Sequence, residues 1–114
     1  MDRKPIIYQL IPRLFTNYTP NCVPGGNIAR NGAGKLNDIN RDVLASIKAL
    51  GVTHVWYTGV LEHAQCSDYT AYGIERDNRH VVKGQAGSPY AIKDYYDIDP
   101  DLAVSVPDRV QDFE

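Results

Sequence analysis

The chain has 114 residues, 43% of them hydrophobic and 23% charged, with a formal net charge of −2. That length allows one domain at most, and the balance is that of a folded globular segment rather than a disordered one. No basic patch stands out and the longest apolar run falls far short of a bilayer span, so neither a nucleic acid nor a membrane is expected as a partner.

The charged start, Met1-Asp2-Arg3-Lys4-Pro5, runs directly into a strand-like segment. No signal peptide is therefore expected, which leaves the compartment unassigned. Ile6-Ile7-Tyr8-Gln9-Leu10-Ile11 is an uncharged, β-branched and aromatic run interrupted by Pro12. A run of this kind reads as a strand buried on both faces. Asn17 to Gly34 follows as a long loop dense in Pro and Gly, and loops of that length are commonly functional or mobile.

From Asn37 the apolar period changes. Ile39, Val43, Leu44, Ile47 and Leu50 recur at three- and four-residue spacing and form one stripe of an amphipathic helix. Asn37 or Asp38 can cap its start, while Asp42 and Lys48 complement the helix dipole at the two ends. Gly51 stands where a left-handed C-terminal residue is wanted. Val52 to Val60 is again β-branched and aromatic and reads as a second buried strand, with Trp56 in the core and His54 packed or facing the helix. Strand, helix, strand with short joints is a βαβ unit whose crossover should be right-handed. Residues 61–104 look mostly irregular, with a short strand at Val81-Val82. Ser105-Val106-Pro107-Asp108 then opens a helix through Arg109 to Glu114.

Cys22 and Cys66 lack metal-binding spacing and read as ordinary thiols, with a pairing between them left open. Asn31-Gly32-Ala33-Gly34-Lys35 has the look of a phosphate loop. Ala29 and Leu36 occupy the positions that should be Gly and Ser or Thr, so it is better taken as a glycine-rich lead into the helix. The segment Gly87 to Pro100 is chemically richer. It sets Tyr90, Tyr95 and Tyr96 beside Asp94, Asp97 and Asp99 in a loop punctuated by Gly and Pro. Aromatic faces next to carboxylates suit a sugar, stacking on its C–H surface while binding its hydroxyls.

Ile7-Tyr8-Gln9-Leu10-Ile11-Pro12-Arg13-Leu14-Phe15 resembles the first barrel strand of α-amylase-type enzymes, glycoside hydrolase family 13. Leu50-Gly51-Val52-Thr53-His54-Val55-Trp56-Tyr57 is similar to their first helix end and second strand. Pro89-Tyr90 through Asp94-Tyr95-Tyr96 and Ile98-Asp99-Pro100 resembles the segment that follows, and Asp112-Phe113 the start of the second barrel helix.

The resemblance implies an α/β fold, namely part of a TIM (β/α)8 barrel comprising the first βαβ unit and the long loop after the second strand. Residues 1–114 would then be the N-terminal fragment of a catalytic barrel, since the complete fold needs about 250 residues. It implies a retaining hydrolase acting on α-glucans such as starch or maltooligosaccharides. Tyr90 would stack on the sugar next to the scissile bond. His63, just beyond the second strand, lies at the face where barrels carry their sites. It is a candidate ligand contact weighed against a solvated loop histidine. Asp94 is a third candidate, weighed against a role in fixing the loop, and Asp97 and Asp99 read as turn and capping groups.

Several positions depart from the family pattern. Thr58-Gly59 stands where Ser-Pro is usual, Pro89 where Gly is usual, and Pro100-Asp101-Leu102-Ala103 lacks the common Phe-Gly-Thr. Residues 16–36 hold no carboxylate, so no metal is expected there, and no cofactor is implied. The family's catalytic carboxylates follow later strands, so no residue here inherits a catalytic role and the chain itself is expected to be inactive. Exposed strand edges would also favour self-association. The competing reading is a small non-catalytic α/β module that binds carbohydrate or a protein partner.

Overall fold

In the computed structural model, which describes residues 3–114, Ile7–Leu10 forms strand β1. Pro12 ends it and opens a single helical turn, α1 (Pro12–Phe15), because its fixed φ and missing N–H suit the first helical position. The long loop contains a second turn, α2 (Ile28–Asn31), capped by the Asn27 side chain, which accepts from the Arg30 amide at 3.1 Å. Helix α3 (Arg41–Lys48) and strand β2 (His54–Tyr57) follow. Strands β1 and β2 pair in parallel, from Ile7 opposite His54 to Leu10 opposite Tyr57, with α3 as the connection. The expected βαβ order is present.

The cap differs from expectation. Leu36 is buried and draws residues Leu36–Asp38 into a 3-10 turn. Asn40 is therefore the residue with extended backbone before α3, and its side chain accepts from the Val43 amide at 3.1 Å. Neither Asn37 nor Asp38 caps the helix. Gly51 takes the left-handed conformation read for it, with φ +87°.

Burial of the strands also differs. Ile7 is 59% exposed and Trp56 54% exposed, so neither strand is covered on both faces, and Trp56 is not a core residue. The physical reason is supply. The eight-residue α3 buries only Ile47, and among the described residues an apolar groove, edged by Ile98 and Phe113, stays open over Ile7 and Trp56. His54 is likewise exposed, its Nδ1 lying 2.8 Å from the Thr53 hydroxyl.

The core lies instead beneath the segment after β2. Leu36, Val60, Ile98 and Leu102 are buried together, with Tyr57 packed against them. Two strands build this region: β3 (Leu61–His63) and β4 (Ile92–Ile98), antiparallel with Leu61 opposite Ile98 and His63 opposite Ile92. The register slips twice between β3 residues, the mark of bulges. The Gly87–Pro100 segment, read as a loop, thus contributes a seven-residue strand. Val81 is no strand residue and ends an exposed 3-10 turn, Arg79–Val81.

The C-terminal helix start falls where it was read. A 3-10 turn at Val106–Asp108 leads into α4 (Arg109–Phe113). Arg109 fastens it to β4 with two 2.7 Å hydrogen bonds, from Nε and Nη2 to the two oxygens of Asp97. Phe113 adds an edge-on contact with Tyr57 at 6.5 Å between ring centres. Asp97 is therefore an ion-pair residue as well as a local backbone acceptor, its Oδ1 also taking the Ile98 amide at 2.7 Å. The architecture is mixed α/β, with one small parallel and one small antiparallel sheet.

Candidate functional site

Loops leaving the carboxyl ends of β1 and β2 meet one another. At that end Gln9 Nε2 donates to the Thr58 hydroxyl at 2.8 Å, tying the strands together. Arg13, one residue after Pro12, donates from Nη1 to the carbonyls of both Ala86 and Gly87 at 3.3 Å. Gly59 sits directly beyond β2 with φ +82°, and a Cβ there would come within 2.7 Å of the Pro89 side chain. Pro89 thus rests on bare backbone. The Ala86–Tyr90 turn is held from both strands.

Tyr90 projects from this turn with 74% of its surface exposed. Its amide donates to the Ser88 hydroxyl at 3.3 Å, and the Ala91 amide closes the turn onto the Ser88 carbonyl at 3.0 Å. Tyr95 and Tyr96 are exposed as well. Phenolic rings presented on pinned backbone lose little conformational entropy on stacking against a ligand.

His63 lies under the turn rather than on it. Only 1% exposed, it points Nε2 at the Ala86 carbonyl from 2.8 Å and Nδ1 at the Asp99 carboxylate from 3.5 Å. The solvent-facing ligand contact considered for it does not match this position. Protein surrounds the ring. Sequence reasoning placed Asp99 as a cap, and it is one: Oδ1 accepts from the Asp101 amide at 3.1 Å. What it missed is that Asp99 is fully buried against His63. Burial and the neighbouring Asp101 charge push the Asp99 carboxyl up to about 6, against the opposing influence of His63 and Arg13. Gln65 completes the cluster by donating from Nε2 to Asp99 Oδ1 at 3.4 Å. Nearby, the Tyr69 hydroxyl donates to Asp101, and Lys35 Nζ donates to the Asp101 carbonyl at 2.6 Å. Burial and then this hydrogen bond raise the Tyr69 phenol above its usual range.

Asp94 belongs to a different group of side chains. It stands on β4 opposite Glu62, and its Oδ1 accepts from the Tyr96 amide at 2.8 Å, which is the loop-fixing role considered for it. Carboxylate oxygens of Glu62, Asp94 and Asp97 come within 4.8 Å of one another. Lys93 lies 3.5 Å from Glu62 and Arg109 pairs with Asp97, so two of the three carboxylates already face protein cations and no metal is assigned to the group. Burial raises the Glu62 carboxyl, and the Arg109 hydrogen bonds hold Asp97 below the usual carboxylate range.

Two hollows flank these groups. One, of about 610 Å³, lies between the β1 loop and residues 66–69, with Arg13, Asn27, Tyr69 and Asp101 on its walls. The other, of about 570 Å³, is the apolar groove over the open face of β2, bounded by Ile7, Trp56, Val60 and Phe113. Cys22 and Cys66, both free thiols, line the first. No helix among the described residues is long and apolar enough to cross a membrane.

No family model, no curated protein and no solved structure matched the chain.

Proposed function

We propose that the chain is the N-terminal part of an α-amylase-type glycoside hydrolase acting on α-glucans, and that the Ala86–Tyr90 turn is its sugar platform. In this reading β1, α3 and β2 are the first units of a (β/α)8 barrel. The carrying observation is Tyr90: an exposed ring on a turn anchored at the carboxyl end of a parallel strand pair, by Gly59 against Pro89 and by Arg13 on Ala86 and Gly87. Ligands of parallel α/β sheets sit at that end of the strands. The bare apolar surface of Ile7 and Trp56 supports the barrel assignment, because parallel strands are ordinarily covered on both faces. No residue of the chain is given a catalytic role. Bond cleavage would belong to carboxylates on later strands.

The test is titration of the chain with maltoheptaose, followed by the NMR signals of its tyrosine rings. Removing one stacked ring should cost roughly 1 kcal/mol, so Tyr90→Ala should weaken binding by about fivefold. Tyr18→Ala, which removes an equally exposed tyrosine in the β1 loop, should leave binding unchanged. Equal affinity in wild type and Tyr90→Ala would overturn the platform. The apolar groove beside Trp56 and Phe113 favours a second reading, a non-catalytic module that docks a protein partner. Extending the coding frame past codon 114 separates the two: further barrel strands bearing Asp and Glu support the hydrolase, and a stop codon supports the module.

A further inference from the structure

Proton counting at His63 leads to a role for the pair beneath the platform. The ring has two polar neighbours, the Ala86 carbonyl at 2.8 Å from Nε2 and Asp99 Oδ2 at 3.5 Å from Nδ1. Both neighbours are acceptors. A neutral imidazole carries one N–H, so it can satisfy one of them and must turn a lone pair toward the other. Both contacts are attractive together only when the cluster holds a second proton, whether as imidazolium facing carboxylate or as imidazole facing carboxylic acid. At 1% exposure on each side chain, water is not at hand to replace the missing partner. His63 Nδ1 and Asp99 Oδ2 indeed have no hydrogen-bond partner as they stand, and neither does Gln65 Oε1 beside them.

We propose that His63 and Asp99 are positioning residues that share one proton, and that this proton fixes the Ala86 carbonyl and with it the turn carrying Tyr90. This rests on the sugar-platform reading. The turn is close-set against the ring: a Cβ on Gly87 would lie 3.1 Å from His63 Cδ2. When the shared proton leaves, a lone pair must face either the carboxylate or the Ala86 carbonyl, and repulsion drives the ring from one of them. The surrounding charges do not supply a substitute. Arg13 is spent on the Ala86 and Gly87 carbonyls, and Lys35 on the Asp101 carbonyl. Asp101 and Tyr69 bond each other, and Asp77 accepts from the Gln65 amide at 3.0 Å. Negative Asp101 favours retention of the proton, as does the burial that lifts the Asp99 carboxyl.

The experiment follows the isotope-labelled chain by NMR from about pH 5 to about pH 8, across the range where a histidine pair exchanges protons. His63 ring-nitrogen shifts report the shared proton, and exchange protection of the Gly87 and Ala91 amides reports the turn. The expected result is a loss of protection of about tenfold, the value of one hydrogen bond, with the same midpoint as the ring titration. His63→Gln keeps a donor for the Ala86 carbonyl but cannot titrate, so its protection should be flat with pH. Tyr90→Ala should weaken maltoheptaose binding yet keep the protection step. A wild-type turn whose protection ignores the His63 titration overturns the proposal, whether or not sugar binds. A protection step in a chain that never binds sugar upholds the shared proton and overturns only the platform.

Discussion

Replacing Gly87 by alanine tests the most tightly constrained point of the candidate site. Gly87 has φ +76°, and a Cβ built on it would lie 1.9 Å from the Ala64 carbonyl oxygen and 3.0 Å from the Ala64 carbonyl carbon. Two costs add. The left-handed conformation itself costs a non-glycine residue roughly 1–2 kcal/mol. The overlap then requires backbone, not a flexible side-chain tip, to move by about 1 Å before even a tight contact is reached, and overpacking of that kind costs a further 1–3 kcal/mol or so. Gly51 separates the terms. Its φ is +87°, and nothing lies within 4 Å of its added Cβ, so Gly51→Ala carries the conformational cost alone. Denaturant unfolding of wild type and both variants should place Gly51→Ala about 1 kcal/mol below wild type and Gly87→Ala about 3 kcal/mol below it. Equal losses would refute the claim that the Ala86–Tyr90 turn is packed directly onto the end of β3.

Three further outcomes follow from the ion pairs and the helix cap. Asp99 has its folded pKa raised to about 6, above the ordinary carboxylate value, so its contribution to stability is present at acid pH and lost as pH rises to and through 6. The stability of wild type relative to Asp99→Asn should therefore fall between pH 4 and pH 7, and a pH-independent difference counts against a proton held by the buried pair. Asp97 runs the other way, since its pKa is lowered by Arg109 and its contribution is lost as pH falls. Arg109→Ala should cost about 2 kcal/mol in chemical denaturation and return the Asp97 titration toward ordinary values, and an unchanged Asp97 titration would show that the 2.7 Å pair is not formed. Asn40→Ala should cost about 1 kcal/mol through loss of the α3 cap, whereas Asn37→Ala, which removes no cap, should cost α3 much less in the same circular-dichroism melt.

What the sequence determined by itself was whatever depends on a few neighbouring residues. Ile39 to Leu50 specified an amphipathic helix through spacing alone, Gly51 its left-handed end, and Pro107 with Asp108 the entry to α4. The parallel βαβ order followed from two uncharged β-branched runs flanking that helix. Tyr90 was legible as an exposed ring because Gly and Pro on either side announced a turn. Tertiary structure alone decided the rest. The strand Ile92–Ile98 has no clean alternation, since Lys93 and Asp97 are satisfied by partners distant in the chain, so no local period reveals it. Trp56 looked like core because sequence reports hydrophobicity but not whether anything remains to cover it. His63 and Asp99 stand 36 positions apart; one read as a ligand contact or a loop histidine and the other as a capping group, with nothing local to link them. Only the pairing of β3 with β4 removed both from water and set them against each other, and that desolvation is what gives the pair its chemistry.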